Sequence, residues 1–483
     1  MGQLVSLPAT PSKSTAGCAS KGCQQAPAGA QALSAEVEAK VREHPCYSED
    51  AHQYFARMHV AVAPACNIQC HYCNRKFDCA NESRPGVVSE RLTPEQAARK
   101  VTAVANEVPE LSVLGIAGPG DACHDWKKTR ATLAAVAKAV PGLKHCLSTN
   151  GLALPDCVEE IASLGIDHVT ITINMVNPEI GARIYPWVYF RGKRQRGLEA
   201  SRILHERQLE GLERLVEKKI LVKVNSVMIP GVNDVHLLEV NKVVKAKGAF
   251  VHNVMPLISE ARHGTHFGLI GQRGPTPREL QALQDRLGQG SRVMRHCRQC
   301  RADAVGLLGE DRGQAFELAK LPAEVAFDPS LRDAHREVIG KERSEHALSR
   351  EEAGAQLAGL TGEAPALVAV ATRGGGRINQ HFGHAKELQL YEVSARGVRF
   401  VGHRKIDGYC EGGWGADASL EATLQLLEGV SAVLCARVGS CPREALEAAG
   451  LEVSDAHAWT WIEAGVAAWY AARGARALSE RSA

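Results

Sequence analysis

The chain has 483 residues, of which 45% are hydrophobic and 23% charged, and its 57 basic and 54 acidic side chains leave a net charge of +3. This composition excludes a collagen-like or wholly disordered chain, and no run approaches the roughly 18 apolar residues of a spanning helix. The near balance of charge argues against nucleic acid or an acidic membrane as the main partner. Fifteen cysteines and nineteen histidines are present. With no basic, apolar leader at the start, they suggest a reduced, cytoplasmic protein that binds metal rather than a disulfide framework.

Residues 1–43 begin with an Ala-, Ser-, Pro- and Gly-rich stretch and are expected to be a flexible tail, with Cys18 and Cys23 as solvated thiols. A β/α rhythm follows. Strands are expected at 57–63, 111–117, 143–148, 168–174, 221–229 and 250–257, and helices at 93–107, 129–140 and 155–164. Thr93 and Gln96 form a capping box, and Pro94 suits the first helical position. The spacing is that of βαβ units, and six of them predict an α/β barrel, closed or partial, over 44–319. A charged helical linker is expected at 320–364. A smaller α/β domain follows at 365–475, with strands at 367–372, 388–393 and 432–436 and helices at 418–427, 443–449 and 459–473. Residues 476–483 read as a tail.

Polar residues gather where the barrel strands end. Gly118-Pro119-Gly120-Asp121 follows the second strand and Ser148-Thr149-Asn150-Gly151 the third. Thr170, Thr172 and Asn174 alternate along the fourth. Asn225 and Ser226 mark the fifth, and His252 and Asn253 the sixth. Any one could be a capped turn, but together they mark the ligand-binding face of an α/β barrel.

The strongest motif is Cys66-Asn67-Ile68-Gln69-Cys70-His71-Tyr72-Cys73, directly after the first strand. Three thiolates on one tight loop can hold three irons of a four-iron cluster and leave the fourth iron open. A structural zinc site needs four closed ligands, so this loop has the wrong count. Further thiols and imidazoles lie elsewhere: His44 and Cys46 before the barrel, Cys79 past the loop, Cys146 in the third strand, and Cys297 and Cys300 after the sixth. Cys123 and Cys157 read equally well as small buried hydrophobes, and packing is the expected role of Cys410, Cys435 and Cys441.

The cysteine loop, with an aromatic residue before its third cysteine, resembles the radical S-adenosylmethionine (SAM) superfamily. The resemblance implies a [4Fe-4S] cluster on Cys66, Cys70 and Cys73 that binds SAM, one-electron cleavage of the sulfonium bond, and a 5'-deoxyadenosyl radical. It also makes Tyr72, Gly118, Gly120, Asp121, Ser148, Asn150, Thr170, Thr172, Asn174 and Asn225 candidates for cofactor contact. Gly118 to Asp121 stands where the superfamily usually has Gly-Gly-Glu, a loop whose glycines admit the methionine amine.

Longer stretches are more specific. His44 to Ser48, Val60 to Ser89, Gly115 to Asp121, Thr170 to Trp187, Lys223 to Asp234, His252 to Ser259 and Met294 to Asp311 resemble the NifB family of nitrogenase iron-molybdenum cofactor biosynthesis proteins. Asn379 to Ala385 resembles the NifX/NifY-type cofactor-binding domain, of ribonuclease H-like fold. The family implies a lyase- or transferase-type radical SAM enzyme that fuses two [4Fe-4S] clusters and inserts a SAM-derived carbide. It implies that His44, Cys79 and Cys146, with Cys46 as an extra ligand, hold one substrate cluster, and that Cys297, Cys300 and Glu82 hold the other. Implied partners are iron–sulfur cluster donors, cofactor carrier or scaffold proteins and an electron donor such as ferredoxin, with no nucleic acid and no membrane. The rival readings are a radical SAM enzyme acting on a peptide, one acting on nucleic acid, prompted by Arg191, Lys193, Arg194 and Arg196, and a non-enzymatic iron–sulfur carrier. The polar strand ends argue against a pure carrier.

Overall fold

The structure, a computed structural model, describes residues 33–81, 83–360, 364–406 and 417–482. Glu82, Cys18, Cys23 and Cys410 therefore lie outside the described residues. In chain order the strands of the first part are β1 (Ala56–His59), β2 (Ile68–Gln69), β3 (Leu111–Ile116), β4 (Lys144–Thr149), β5 (His168–Thr172), β6 (Trp187–Phe190), β7 (Lys193–Arg196), β8 (Leu221–Met228), β9 (Val251–Pro256) and β10 (Val305–Gly306). The main sheet has the order β10-β1-β3-β4-β5-β8-β9. Its six long strands run parallel in chain order, and β10 adds antiparallel to β1. The sheet is thus a partial barrel whose two edges, β9 and β10, are not paired with each other.

Strand alternation sorts the side chains. Met58, Leu114, Ile116, Leu147, Val169, Ile171, Val222, Val224 and Val254 enter one apolar core with the surrounding helices. The alternate positions, Arg57, His59, Gly115, Cys146, Ser148, His168, Thr170, Thr172, Lys223, Asn225 and Asn253, face the inside. The helix Pro94–Glu107 starts with the expected capping box at Thr93 and Gln96, a feature worth about 1 kcal/mol.

Three local departures have plain causes. A helix, Ala35–Val41, lies within the segment expected to be a tail. Ser34 caps it, Lys40 pairs with Asp167 at 3.0 Å, and Val41 is buried beside Tyr47 and Val251. At the other end the last helix runs Ile462–Ser482, through most of the expected tail. The linker is a 29-residue helix, Ser330–Ala358, and Ala353 and Leu357 on its last turns join the core of the C-terminal sheet.

That sheet contains β11 (Ala366–Val370), β12 (Glu387–Ser394), β13 (Gly397–Lys405), β14 (Ala432–Leu434) and β15 (Glu452–Ser454), in the order β13-β12-β11-β14-β15. Two apolar clusters cover its two faces. The domain and the linker helix Ser330–Ala358, which carries Arg343 and His346, rest on the barrel through polar contacts. Gln53 donates to Gln389 at 3.1 Å, Asp50 pairs with Arg343, and Arg298 pairs with Glu387 at 2.9 Å. Tyr54 and His346 share a hydrogen bond of 2.6 Å.

Candidate active site

The chain leaves β1 and turns across the barrel mouth into the cysteine loop. Gly120 N–H donates to Ala63 O, and Asp121 N–H to Ala65 O, both at 2.7 Å. Gly120 is needed for this approach: a Cβ there would lie 2.2 Å from Ala65 O and 2.6 Å from the Pro64 carbonyl. The sequence reading assigned the glycines to room for the methionine amine, but the space at Gly120 is filled by the chain's own backbone. Asp121 is equally occupied. Its buried carboxylate accepts from the backbone N–H groups of Cys123, His124 and Asn150 and from the Thr149 hydroxyl.

Within the loop the carbonyls are satisfied from side chains. Gln69 Nε2 donates to Cys70 O and Cys73 O, and the Arg75 guanidinium donates to Cys66 O and Ile68 O. β2 pairs with the hairpin strand β6, and His71 N–H donates to Ile184 O at 2.8 Å. The loop is therefore held from several sides.

Burial pushes the Cys66 thiol up to about 11, with Asp121 adding to the rise and Arg75 opposing it. Burial, then Cys73 and Cys66, raise Cys70; burial raises Cys73 against Arg75. Burial also raises Cys79, followed by the charges of Cys73 and Cys66, which places Cys79 beside the loop. Such thiols stay protonated or are bound, as thiolates, to a metal centre. Among the described residues no three His, Cys, Asp or Glu side chains gather on one point as a single ion requires. A [4Fe-4S] cluster takes one thiolate per iron, and Cys66, Cys70 and Cys73 are the thiols that would hold it.

Tyr72 OH donates to Asn81 Oδ1 at 2.6 Å, and Asn174 Nδ2 donates to the hydroxyls of Tyr72 and Tyr185. Thr172 Oγ1 and Asn225 Nδ2 both donate to Asn81 O, and Asn253 Nδ2 donates to Asn225 Oδ1. Four of the candidate SAM contacts (Tyr72, Thr172, Asn174 and Asn225) thus anchor the segment after Cys79. Asn150 Nδ2 lies 3.5 Å from Cys66 Sγ and donates to Asn67 Oδ1 at 2.8 Å. Thr170 is buried and Ser148 half-buried on the inner face. Ser226 and His252 are bonded to each other at 2.9 Å, with His252 reaching Asn241 on the helix side, so they lie off the inner face.

A second set of ligand-type residues lies further along the inside. The register places His59 beside Gly115, Gly115 beside Cys146, and Cys146 beside His168. The His44 ring lies 4.3 Å from that of His168. His44 Nδ1 accepts from Cys46 N–H at 3.2 Å, whereas Nε2 is buried without a hydrogen-bond partner, as are both ring nitrogens of His168. Burial, then His168, holds His44 well below the usual imidazole range. Cys46, Cys297 and Cys300 pack around one cluster with Tyr47 and Met294. Cys297 also touches the cluster that contains Cys70 and Tyr72, packed there with Cys66 and Cys73. Arg57 Nε donates to Cys300 Sγ at 3.2 Å. Cys123, Cys157 and Cys435 are buried in apolar cores and Cys441 is exposed.

The Radical SAM superfamily model matches residues 60–244, and the dinitrogenase iron-molybdenum cofactor model matches residues 365–472. The chain is 59% identical over 467 residues to the FeMo cofactor biosynthesis protein NifB of Sinorhizobium fredii, covering 97% of this chain and 94% of the relative. The chain belongs to the NifB family. The NifB of Azotobacter vinelandii is similar too, at 55% identity, with 95% of this chain and 93% of the relative covered. Membership makes the chain a radical SAM protein of FeMo-cofactor biosynthesis, whose family binds a [4Fe-4S] cluster and SAM. Among the described residues no helix is long and apolar enough to cross a membrane.

Sequence reasoning overlooked Arg57, His59, Asn81 and His168. His168 could have been found, because it precedes Thr170 and Thr172 at the same alternation. Arg57 and His59 are likewise two positions apart on β1 and so share its inner face. Asn81 carries no such signal, because its role depends on a loop folding back into the barrel. Gly120→Ala is expected to displace the loop start and lower 5'-deoxyadenosine release about 100-fold, the scale of a 1 Å misplacement. Product chromatography on reconstituted protein checks this, and a near wild-type rate would show that the contact has no influence on the site.

Proposed function

We propose that this chain joins two four-iron substrate clusters into an eight-iron core and inserts a carbon taken from the methyl group of SAM. The observation that carries the reading is the convergence of extra thiol and imidazole groups on the inner face from outside the first cysteine loop. His44, His168 and its strand neighbour Cys146 lie together, and Cys297 and Cys300 pack with Cys46 and Tyr47 next to them. Cys66, Cys70 and Cys73 would hold the resident cluster, which when bound supplies the electron that cleaves the SAM sulfonium bond.

The chain's own residues support substrate binding in two ways. His44 Nε2, buried without a partner, offers a nitrogen ligand beside His168, whose strand neighbour is Cys146, and Cys46 and Cys79 would complete the set. Buried Arg57 and Lys223 on the same face add positive charge toward anionic clusters. Cys297 and Cys300, with Glu82 as a third ligand, would hold the second substrate. Mixed and incomplete ligand sets suit clusters that must rearrange and leave, as four thiolates would retain them.

The C-terminal domain is assigned storage or delivery of the product. His381 and His384 lie with ring centroids 4.9 Å apart, and burial, then His384, lowers the pKa of His381, so it offers a neutral ring nitrogen. Cluster donors, carrier or scaffold proteins and a ferredoxin-like electron donor are the partners this role requires.

The deciding experiment incubates cluster-loaded protein with methyl-labelled SAM and dithionite, then isolates the iron–sulfur product. The label is expected in the cluster. Label remaining in methionine, or appearing only on peptide or nucleic acid, would replace this reading with a conventional radical SAM modification.

A further inference from the structure

Between the barrel and the C-terminal domain lies a cavity of about 330 Å³, within the size range of small-ligand sites. One wall is the end of β9 with Cys297, Arg298 and Gln299; the other is the end of β13, with His403, Arg404 and Lys405. The same turn thus carries a candidate cluster ligand on the barrel and a wall of this cleft. Gln299 is held there at φ 48°, with its amide donating to Pro256 O at 3.3 Å.

The charges in the cleft are unevenly matched. Arg298 is satisfied: its Nε pairs with Glu387 at 2.9 Å and its NH1 meets His403 Nδ1 at 2.7 Å. Glu387, opposite Lys405 in the β12–β13 register, is thereby engaged. Arg404 donates to the His403 carbonyl at 3.3 Å, and among the described residues neither Arg404 nor Lys405 has a carboxylate within ion-pair distance. Partial burial lowers the Lys405 pKa, and Arg84, whose backbone N–H donates to Gln299 O at 3.2 Å, lowers it further through space while Glu387 opposes it. β13 is an edge strand of its sheet. Lysine and arginine commonly blunt such edges, but here the edge faces the barrel mouth beside Cys297.

We propose that this cleft is a second, non-covalent binding position for the polyanionic iron–sulfur product, held by Arg404 and Lys405 between the barrel and the C-terminal domain. The proposal rests on the cluster-fusing reading above. Cations that, among the described residues, have no carboxylate within ion-pair distance, with Arg404 half-buried and Lys405 exposed at the rim of a cavity, attract a multiply charged anion more strongly than the same groups in open water. Because no thiolate bond is required, the position would hold product without trapping it.

The test compares the full chain with an Arg404→Gln/Lys405→Gln double variant and with Arg396→Gln, an exposed change at the far end of the β12–β13 hairpin. After reaction with SAM and dithionite and anaerobic desalting, the double variant is expected to release the same 5'-deoxyadenosine but retain at least fivefold less eight-iron product. Arg396→Gln should match the wild type, and Arg404→Lys should restore part of the retention. Equal retention in the double variant overturns the proposal. If the wild type makes no eight-iron product, the functional reading fails, and the cleft is judged separately with a preformed [4Fe-4S] dianion carrying four small thiolate ligands. Added to cluster-loaded protein, this probe should bind in a salt-sensitive manner and at least fivefold more weakly to the double variant. Equal binding overturns the proposal on that arm as well.

Discussion

Cys66→Ala, Cys70→Ala and Cys73→Ala proteins are each expected to lose at least about 100-fold in 5'-deoxyadenosine formation, because removing a direct ligand should cost more than the 10- to 100-fold typical of outer-shell changes. The three sulfurs sit on one loop whose carbonyls are tied by Gln69 and Arg75, so no neighbouring thiol can easily take a vacated place. Cys79, whose thiol is raised by burial and then by Cys73 and Cys66, is the nearest candidate substitute outside the loop. Cys297→Ala or Cys300→Ala should keep a substantial part of SAM cleavage while stopping assembly of the eight-iron product. Chromatography of 5'-deoxyadenosine alongside analysis of extracted clusters separates the two outcomes. Equal loss of both activities in the Cys297 variant, with the resident cluster intact, would contradict the division of labour.

Glu463→Ala is expected to destabilise the C-terminal domain by about 3–5 kcal/mol, the usual result of removing one partner from a buried ion pair. His346 Nε2 meets Glu463 Oε2 at 2.6 Å, and Arg350 Nε meets Oε1 at 3.0 Å. Trp461 stacks on His346 with centroids 4.4 Å apart, and Tyr54 closes the network from the barrel. Burial alone would raise the Glu463 pKa, but His346 and Arg350 bring it down to about 2 from the model-compound value of 4.5. A depressed carboxylate pKa stabilises the fold fully above the unfolded value, and that contribution fades as pH falls toward the folded one. The stability gap between wild type and variant should therefore be widest above about pH 4.5 and narrow between there and about pH 2. Denaturant titrations across that range measure it; a gap that stays constant would remove Glu463 ionisation as its cause.

The barrel strands were legible because each joins an apolar helix-facing row to a polar inner row. The expected 168–174 became His168–Thr172, and 221–229 became Leu221–Met228. β13 escaped notice because Arg399, His403 and Arg404 interrupt its apolar residues, although Val398 and Phe400 pack on the last helix of the domain. The short helix Ala35–Val41 was hidden for a related reason, since what holds it is Asp167 and Val251, far away in sequence. In the site, residue type at the strand ends was a sound guide to position but not to partner. Thr172 and Asn225 are turned to the returning Asn81 carbonyl, a contact that no spacing rule reveals.

The open sheet has a consequence for the order in which the protein matures. Parallel strands added in chain order let each βα unit dock on the one before it, so most of the barrel can grow as the chain is made. Two closures cannot be early. His44 must wait for His168, and β1 gains β10 only once residue 306 has returned to its edge. Of the proposed substrate ligands, His44 sits at the first seam and Cys300, held by Arg57 of β1, at the second, whereas Cys66, Cys70 and Cys73 belong to a loop next to the first strand. A nascent chain could thus accept its resident cluster early while its substrate positions did not yet exist, giving metal loading a built-in sequence in time.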